Sequence, residues 1–341
     1  MIVTPAGSRW ECRACGACCA GPQLGPVEPD VVDELRAGGV ERRWAPAADG
    51  RWVEARRGPD GQELLYLRTV DGACVFLQPD RRCAVHVLFG PDAKPGFCRE
   101  FPFQFSHGPG GETRAAVRAE CAGLHHSSAD GPPLTEEQLQ DALAVPRVTP
   151  RPVFAPEQVQ VIGRKVPLAK WLTIEAELIE RLDDARSLGP GLALAVLRSV
   201  LAEQVDANLP VPKPQKAAET ADALFAQVVR ALPPKWARTA DTVARCRTRA
   251  PVGPVDPEIG RYVHLLLRSN LAVRGWATSP GVDIGLGAFA LGVAFGLAEA
   301  RDLPAFDARY RQWLAVAALP VVAANLGRSN QALSDLFVHW S

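Results

Sequence analysis

The stretch Cys12-Arg13-Ala14-Cys15-Gly16-Ala17-Cys18-Cys19 sets four thiols within eight residues, in the pattern C-x2-C-x2-C-C. Thiolates two residues apart can wrap around one metal centre while the intervening amides donate hydrogen bonds to the sulfurs. Gly16 lets the chain turn at that point without a Cβ clash. Cys18 and Cys19 are adjacent, and neighbouring side chains usually point apart, so these two are expected to serve different centres. Outward along the chain, Cys74, Cys83, Cys98 and Cys121 follow singly, each beside an expected turn or strand end. Eight thiols with one vicinal pair divide into two four-ligand sites, as two metals or a polynuclear centre. The expected metal ligands are therefore Cys12, Cys15, Cys18, Cys19, Cys74, Cys83, Cys98 and Cys121. Cys246 stands alone on an expected helix and reads as an ordinary core cysteine.

Four thiolates suit both zinc and iron–sulfur centres. Two C-x2-C steps in succession are closer to a ferredoxin-type [4Fe-4S] loop than to a zinc ribbon, which needs a second C-x2-C knuckle downstream. An iron–sulfur cluster is thus placed slightly ahead of zinc, with one or two centres.

Of 341 residues, 47% are hydrophobic and 22% charged, an ordinary globular composition that excludes wholesale disorder. Lysine plus arginine and aspartate plus glutamate both number 38, for zero formal charge. That balance argues against coating nucleic acid or an anionic membrane. With 29 glycines and 30 prolines, long loops are expected. Residues 1–10 contain no apolar run able to act as a secretory signal, so a cytoplasmic protein with reduced cysteines is expected. In that setting a cysteine cluster signifies metal or redox chemistry rather than disulfides. The longest apolar run, residues 284–298, is shorter than the ~20 residues that span a bilayer and reads as a buried helix.

The expected fold class is α+β, a small cysteine-rich metal-held module with short hairpins followed by an all-α domain. Residues 1–130 form the module, 131–160 a proline-rich connector and 161–341 the helical domain. Hairpins are expected for residues 51–56 with 63–67, turning at Gly58-Pro59-Asp60-Gly61, for 74–77 with 83–86, and for 103–105 with 115–117. Each is marginal alone, so a bound metal is expected to supply the missing stability. Within the connector, Thr135 followed by Gln138 is a capping-box pattern opening a helix through Leu143. Beyond it, Leu168, Trp171, Leu172, Leu178, Ile179 and Leu182 mark one apolar helical face. Further helices are expected at residues 192–205, 218–232, 239–246, 258–273, 283–300, 304–326 and 329–340. No phosphate-binding glycine loop follows a strand, and no fixed-period repeat occurs.

Other side chains read more plainly. His86, His125 and His126 are optional ligands beside eight cysteines; His107 reads as solvated, and His264 and His339 as packing residues. Arg99 could offset thiolate charge, bind an anionic substrate, or pair with Glu100 or another carboxylate. Phe101, Pro102, Phe103 and Phe105 read as a small core shielding the centre. Asp283, Glu299 and Asp302 read as solvated helix ends, and Gly292 with Gly296 as a site of close helix packing. A radical S-adenosylmethionine loop fails because position 22 is Pro22.

Cys12 to Cys19, Asp71-Gly72-Ala73-Cys74-Val75-Phe76-Leu77, Cys83-Ala84-Val85-His86, Lys94-Pro95-Gly96-Phe97-Cys98-Arg99-Glu100-Phe101-Pro102-Phe103 and Cys121-Ala122-Gly123 together resemble the YkgJ family of bacterial cysteine-cluster proteins. That family is described as a zinc- or iron-chelating domain, and flagellin lysine-N-methylases share a related cluster. The resemblance covers roughly residues 10–125. Lys94-Pro95 stands where the family has arginine-proline, and Cys121-Ala122-Gly123 where it has cysteine-proline-glycine; both changes leave the cysteines intact. The expected function is metal binding by the N-terminal cluster, with a protein substrate or partner unidentified. One rival is a metal-dependent modifying enzyme such as a protein-lysine N-methyltransferase, against which no S-adenosylmethionine site is recognisable. The other is an interaction scaffold with purely structural zinc.

Overall fold

Short hairpins alternate with short helices in the N-terminal part of the chain, and longer helices dominate the remainder, so the fold is α+β. The computed structural model describes residues 2–339 apart from 6, 20–23, 58–60, 147–150, 152, 185–189, 233, 235–239, 242, 245–255, 275–278, 280, 298–299, 301 and 318–319. The chain divides into one unit of residues 1–2, 6–107 and 113–152 and a second of residues 3–5, 108–112 and 153–341.

In the first unit, strands Val53–Arg57 and Glu63–Leu67 pair antiparallel with Val53 opposite Leu67. Strands Phe103–His107 and Thr113–Val117 do the same with Phe103 opposite Val117. Both were expected. The hairpin expected over residues 74–77 and 83–86 does not form. Ala73–Cys74 pairs with Thr69–Val70, a bridge joins Leu77 to Cys83, and Ala84–Phe89 is helical. The burial explains this difference: Ala84 and Val85 are both buried while His86 and Val87 are exposed, which no two-residue alternation allows.

Helix Pro29–Ala37 was not foreseen. Proline occupies its first position, where the missing N–H is harmless, and Val32 and Leu35, three apart, face inward. These side chains join Leu24, Val27, Val40, Trp52, Leu67, Val75, Phe76 and Val85 in one core. Trp52 is fully buried and meets Phe76 edge to face, with ring centroids 5.5 Å apart. The first unit therefore has a hydrophobic core of its own. The capping box at helix Glu136–Leu143 is complete: Thr135 Oγ1 accepts from the Gln138 N–H, and Gln138 Oε1 from the Thr135 N–H.

The second unit begins with an unforeseen hairpin, Gln158–Val161 with Arg164–Pro167. Its turn residues Ile162 and Gly163 carry φ of 49° and 70°, the sign that a type I′ turn demands. Among the described residues past 160, the regular elements are helices apart from this hairpin. Helices Leu168–Asp184, Pro190–Gln204, Pro214–Ala231, Pro257–Ala272, Val282–Leu297 and Asn330–His339 fall close to expectation. The run at 304–326 instead divides into Leu303–Ala317 and Pro320–Gly327, because proline is poorly tolerated inside a helix and suits the first turn of a new one. Half of residues 239–246, Cys246 among them, and Glu299 lie outside the described residues.

Small residues on Val282–Leu297 allow the close packing expected of them. A Cβ on Gly287 would strike the Leu333 carbonyl, and one on Gly292 would stand 2.9 Å from Trp313. Asp283 is not solvated; it is buried and accepts the Ile162 N–H at 2.8 Å. Asp302 is exposed and caps the Ala305 N–H at 2.8 Å. His264 and His339 are buried on their helices. Among the described residues no helix is long and apolar enough to cross a membrane.

Candidate metal centre

The C-x2-C-x2-C-C loop is bent by Ala14 and Gly16, with φ of 48° and 69°. A Cβ at Gly16 would lie 3.0 Å from Leu77 Cδ1 and 3.2 Å from Arg81 Cβ, so glycine allows the loop to sit on the turn that carries those residues. Arg81 Nη1 donates to the Cys15 carbonyl at 3.3 Å and ties the two together. The next residues, Ala17–Cys19, form a 3-10 turn closed by the Cys19 N–H on the Gly16 carbonyl at 3.0 Å. That turn overrides the tendency of adjacent side chains to diverge. Cys18 Sγ and Cys19 Sγ are 3.9 Å apart, close to the roughly 3.8 Å edge of a tetrahedron with Zn–S bonds of ~2.3 Å. Neighbouring in sequence, the two sulfurs thus lie side by side.

Three further cysteines reach the same neighbourhood. Cys74 ends strand Ala73–Cys74, and its buried sulfur accepts the Phe76 N–H at 3.5 Å. Cys83 precedes helix Ala84–Phe89 and is held opposite by the Ala84 N–H on the Phe76 carbonyl at 2.7 Å. Cys98 lies in helix Gly96–Glu100, whose Gly96 N–H donates to Glu28 Oε2 at 3.1 Å. Glu100 anchors that helix through Arg151 at 2.8 Å, and Arg99 pairs with another carboxylate, Asp92, at 3.4 Å.

The thiols sense one another electrostatically. A hydrogen bond from Cys19 draws the Cys18 thiol down to about 6, with Lys94 assisting. The same bond, then burial and the charges of Cys18, Cys74 and Cys83, push Cys19 far up. Burial raises Cys74 to about 12, and burial followed by the charges of Cys74 and Cys83 holds Cys98 well above the usual thiol range.

The other end of the loop rests elsewhere. Trp10 Nε1–H donates to Cys121 Sγ at 3.3 Å, and the indole stands edge-on to Phe103 with centroids 5.3 Å apart. Backbone bonds from Trp10 to the Pro132 carbonyl, 3.1 Å, and from Glu11 to Ser127 Oγ, 3.1 Å, fix this segment against helix Ala122–Ser127. A Cβ on Gly123 would stand 2.8 Å from the Glu11 carbonyl. Burial raises the Cys121 thiol, offset by the Trp10 bond, with Cys15 adding to the rise. Cys12 and Cys18 are exposed. Trp10 escaped the sequence reading, because its partner Cys121 lies 111 residues further along the chain. Of the histidines, His86 is exposed, His125 is buried with its ring centroid 3.7 Å from that of His126, and His107 Nδ1 pairs with Thr113 Oγ1 at 3.1 Å. The solvated reading of His107 is corrected accordingly.

Among the described residues, no three His, Cys, Asp or Glu side chains are grouped closely enough as placed to hold a metal ion. The donors nonetheless fit zinc or iron: they are thiols, and the Cys18–Cys19 spacing already matches the edge of a tetrahedral site. Residues 11–122, the stretch containing all eight candidate ligands, match the CxxCxxCC family model, described as a "putative zinc- or iron-chelating domain". The match supports metal binding by this segment, with zinc or iron as the metal. No curated protein and no solved structure is detectably similar to the chain.

Proposed function

We propose that the first unit chelates zinc or iron through the thiolates of Cys12, Cys15, Cys18, Cys19, Cys74, Cys83, Cys98 and Cys121. The observation that carries this reading is the placement of Cys18 and Cys19 with their sulfurs 3.9 Å apart, on a loop whose Gly16 packs against Leu77 and Arg81, between Cys74 and Cys83. Isolated core thiols give no reason for such a gathering, and a metal does. The 3.9 Å Cys18–Cys19 spacing supports a mononuclear thiolate centre there, with zinc or a single iron. In a [4Fe-4S] cluster each thiolate binds its own iron, which holds the sulfurs farther apart.

Protein purified without oxygen and assayed for zinc, iron and acid-labile sulfide tests the proposal. Bound zinc or iron without matching sulfide is the expected result. Sulfide in step with iron would replace the mononuclear assignment by a cluster. Protein that takes up neither metal would overturn the chelating role.

A further inference from the structure

We infer that Cys18 and Cys19 form a redox-active dithiol, which a low-molecular-weight disulfide closes to a vicinal disulfide. The placement of the two thiols carries this inference, and it stands whether or not the same sulfurs also serve the chelating role proposed above.

The turn Ala17–Cys19 sets the Cys18 and Cys19 sulfurs 3.9 Å apart, and the Cys19 N–H on the Gly16 carbonyl at 3.0 Å holds its backbone. Gly16 is itself seated against Leu77 and Arg81, and Arg81 Nη1 holds the Cys15 carbonyl at 3.3 Å, so the turn has a fixed base. The two thiols differ in their surroundings. Cys18 is exposed, whereas Cys19 is half-buried and packs against the hydrophobic core of the first unit. An exposed thiol beside a sheltered one divides thiol–disulfide exchange into two roles: the first meets the incoming disulfide and the second resolves it.

The exchange balances with the small disulfide as its oxidant. The Cys18 sulfur, having lost its proton, attacks one sulfur of the small disulfide, forms a mixed disulfide and expels one small thiolate. The Cys19 sulfur then attacks the Cys18 sulfur, closing the Cys18–Cys19 bond and expelling the second. Both protons pass to the released thiolates, and the two electrons given up by the protein thiols reduce the small disulfide. The sulfurs must close from 3.9 Å to about 2.05 Å, a movement open to side chains on a turn with none of its residues buried. Adjacent Cα atoms are about 3.8 Å apart, inside the roughly 4.4–6.8 Å that ordinary disulfides span. The closed bond is therefore strained and easily reduced, which suits a reversible link and not a structural one. On the chelating reading, closure withdraws two thiolates, and only the reduced chain takes up its full complement of metal.

Full-length protein, reduced and freed of metal by a chelator, is treated with glutathione disulfide, blocked with N-ethylmaleimide and mapped by mass spectrometry without reduction. The expected product has Cys18 joined to Cys19, lighter by the two lost hydrogens and located by fragmentation, which separates it from a link through Cys15. Dithiothreitol should restore both thiols. In Cys19→Ser the glutathione adduct on Cys18 should persist, because the resolving sulfur is gone; the wild-type map decides alone should that variant not fold. Cys12 is exposed like Cys18. Stable glutathione adducts on both, with Cys19 still free, would show that exposure alone governs reactivity and would overturn the inference. Links from Cys18 or Cys19 to other cysteines in place of the vicinal bond would overturn it as well. A closed pair whose zinc uptake equals that of the reduced chain would uphold the inference and remove these two cysteines from the chelating reading.

Discussion

Replacing Arg151 by alanine should damage the first unit far more than its place beside a proline-rich stretch suggests. The Arg151 side chain is 16% exposed and that of its partner Glu100 5%, with 2.8 Å between them. Arg151 also donates to the Ala142 and Val145 carbonyls at 3.4 and 3.3 Å and lies 5.4 Å over the Phe105 ring. Removing one member of a buried ion pair strands the other charge and costs about 3–5 kcal/mol. With a urea slope of about 2 kcal/mol per molar, the unfolding midpoint should fall by roughly 2 M. Hydrogen exchange of peptides from residues 96–107, followed through a urea series in metal-loaded protein, isolates the unit from the helices beyond it. The double variant Glu100→Gln with Arg151→Met should recover most of the loss, because no charge is left stranded. A midpoint shift below about 0.5 M for Arg151→Ala would refute the reasoning, since a pair worth so little is effectively solvated. Glu100 closes the helix that carries Cys98, so metal affinity should decline along with stability.

Gly16→Ala should weaken metal binding about tenfold, the equivalent of the roughly 1–2 kcal/mol that a left-handed conformation costs an alanine; competition with a chromophoric chelator measures it. Gly287→Ala forces a methyl group onto the Leu333 carbonyl, and thermal unfolding of the second unit should show a loss of about 1–3 kcal/mol. His339 is held below its usual value of 6.5 by burial first and then by Lys216, so it is neutral when folded. The stability this contributes is present above the unfolded value and is lost as pH falls through the folded one. Melting of the second unit should therefore decline between about pH 7 and pH 5, and His339→Gln should flatten that slope.

The cysteine spacing made the candidate site legible because ligand chemistry is written in residue identity. Grouping was not legible. Whether Cys18 and Cys19 diverge depends on the turn at Ala17–Cys19, and that turn depends on Gly16 finding room against Leu77 and Arg81, residues distant in sequence. The capping box at Thr135 and the outer hairpins were readable because their signals are local. Helix Ala84–Phe89 was misread as a strand because a six-residue apolar run carries too little periodicity to choose a period. Helix Pro29–Ala37 did announce itself, through a proline at its first position and apolar residues three apart. The hairpin at Ile162-Gly163 was hidden because isoleucine rarely takes positive φ. Trp10 and Arg151 act on elements more than fifty residues away in the chain, and no local pattern carries such information.

Thiol alkylation with and without metal tests the central claim most directly, because burial and ligation make different predictions for different cysteines. Cys74 and Cys121 are buried and will react slowly in either state, whereas Cys12 and Cys18 are exposed and have no protection except a bound ion. Native protein treated with iodoacetamide and mapped by mass spectrometry should show Cys12 and Cys18 blocked while zinc or iron is bound, and labelled soon after a chelator removes it. Equal labelling of Cys12 and Cys18 in both states, in protein shown to contain the metal, would contradict the account.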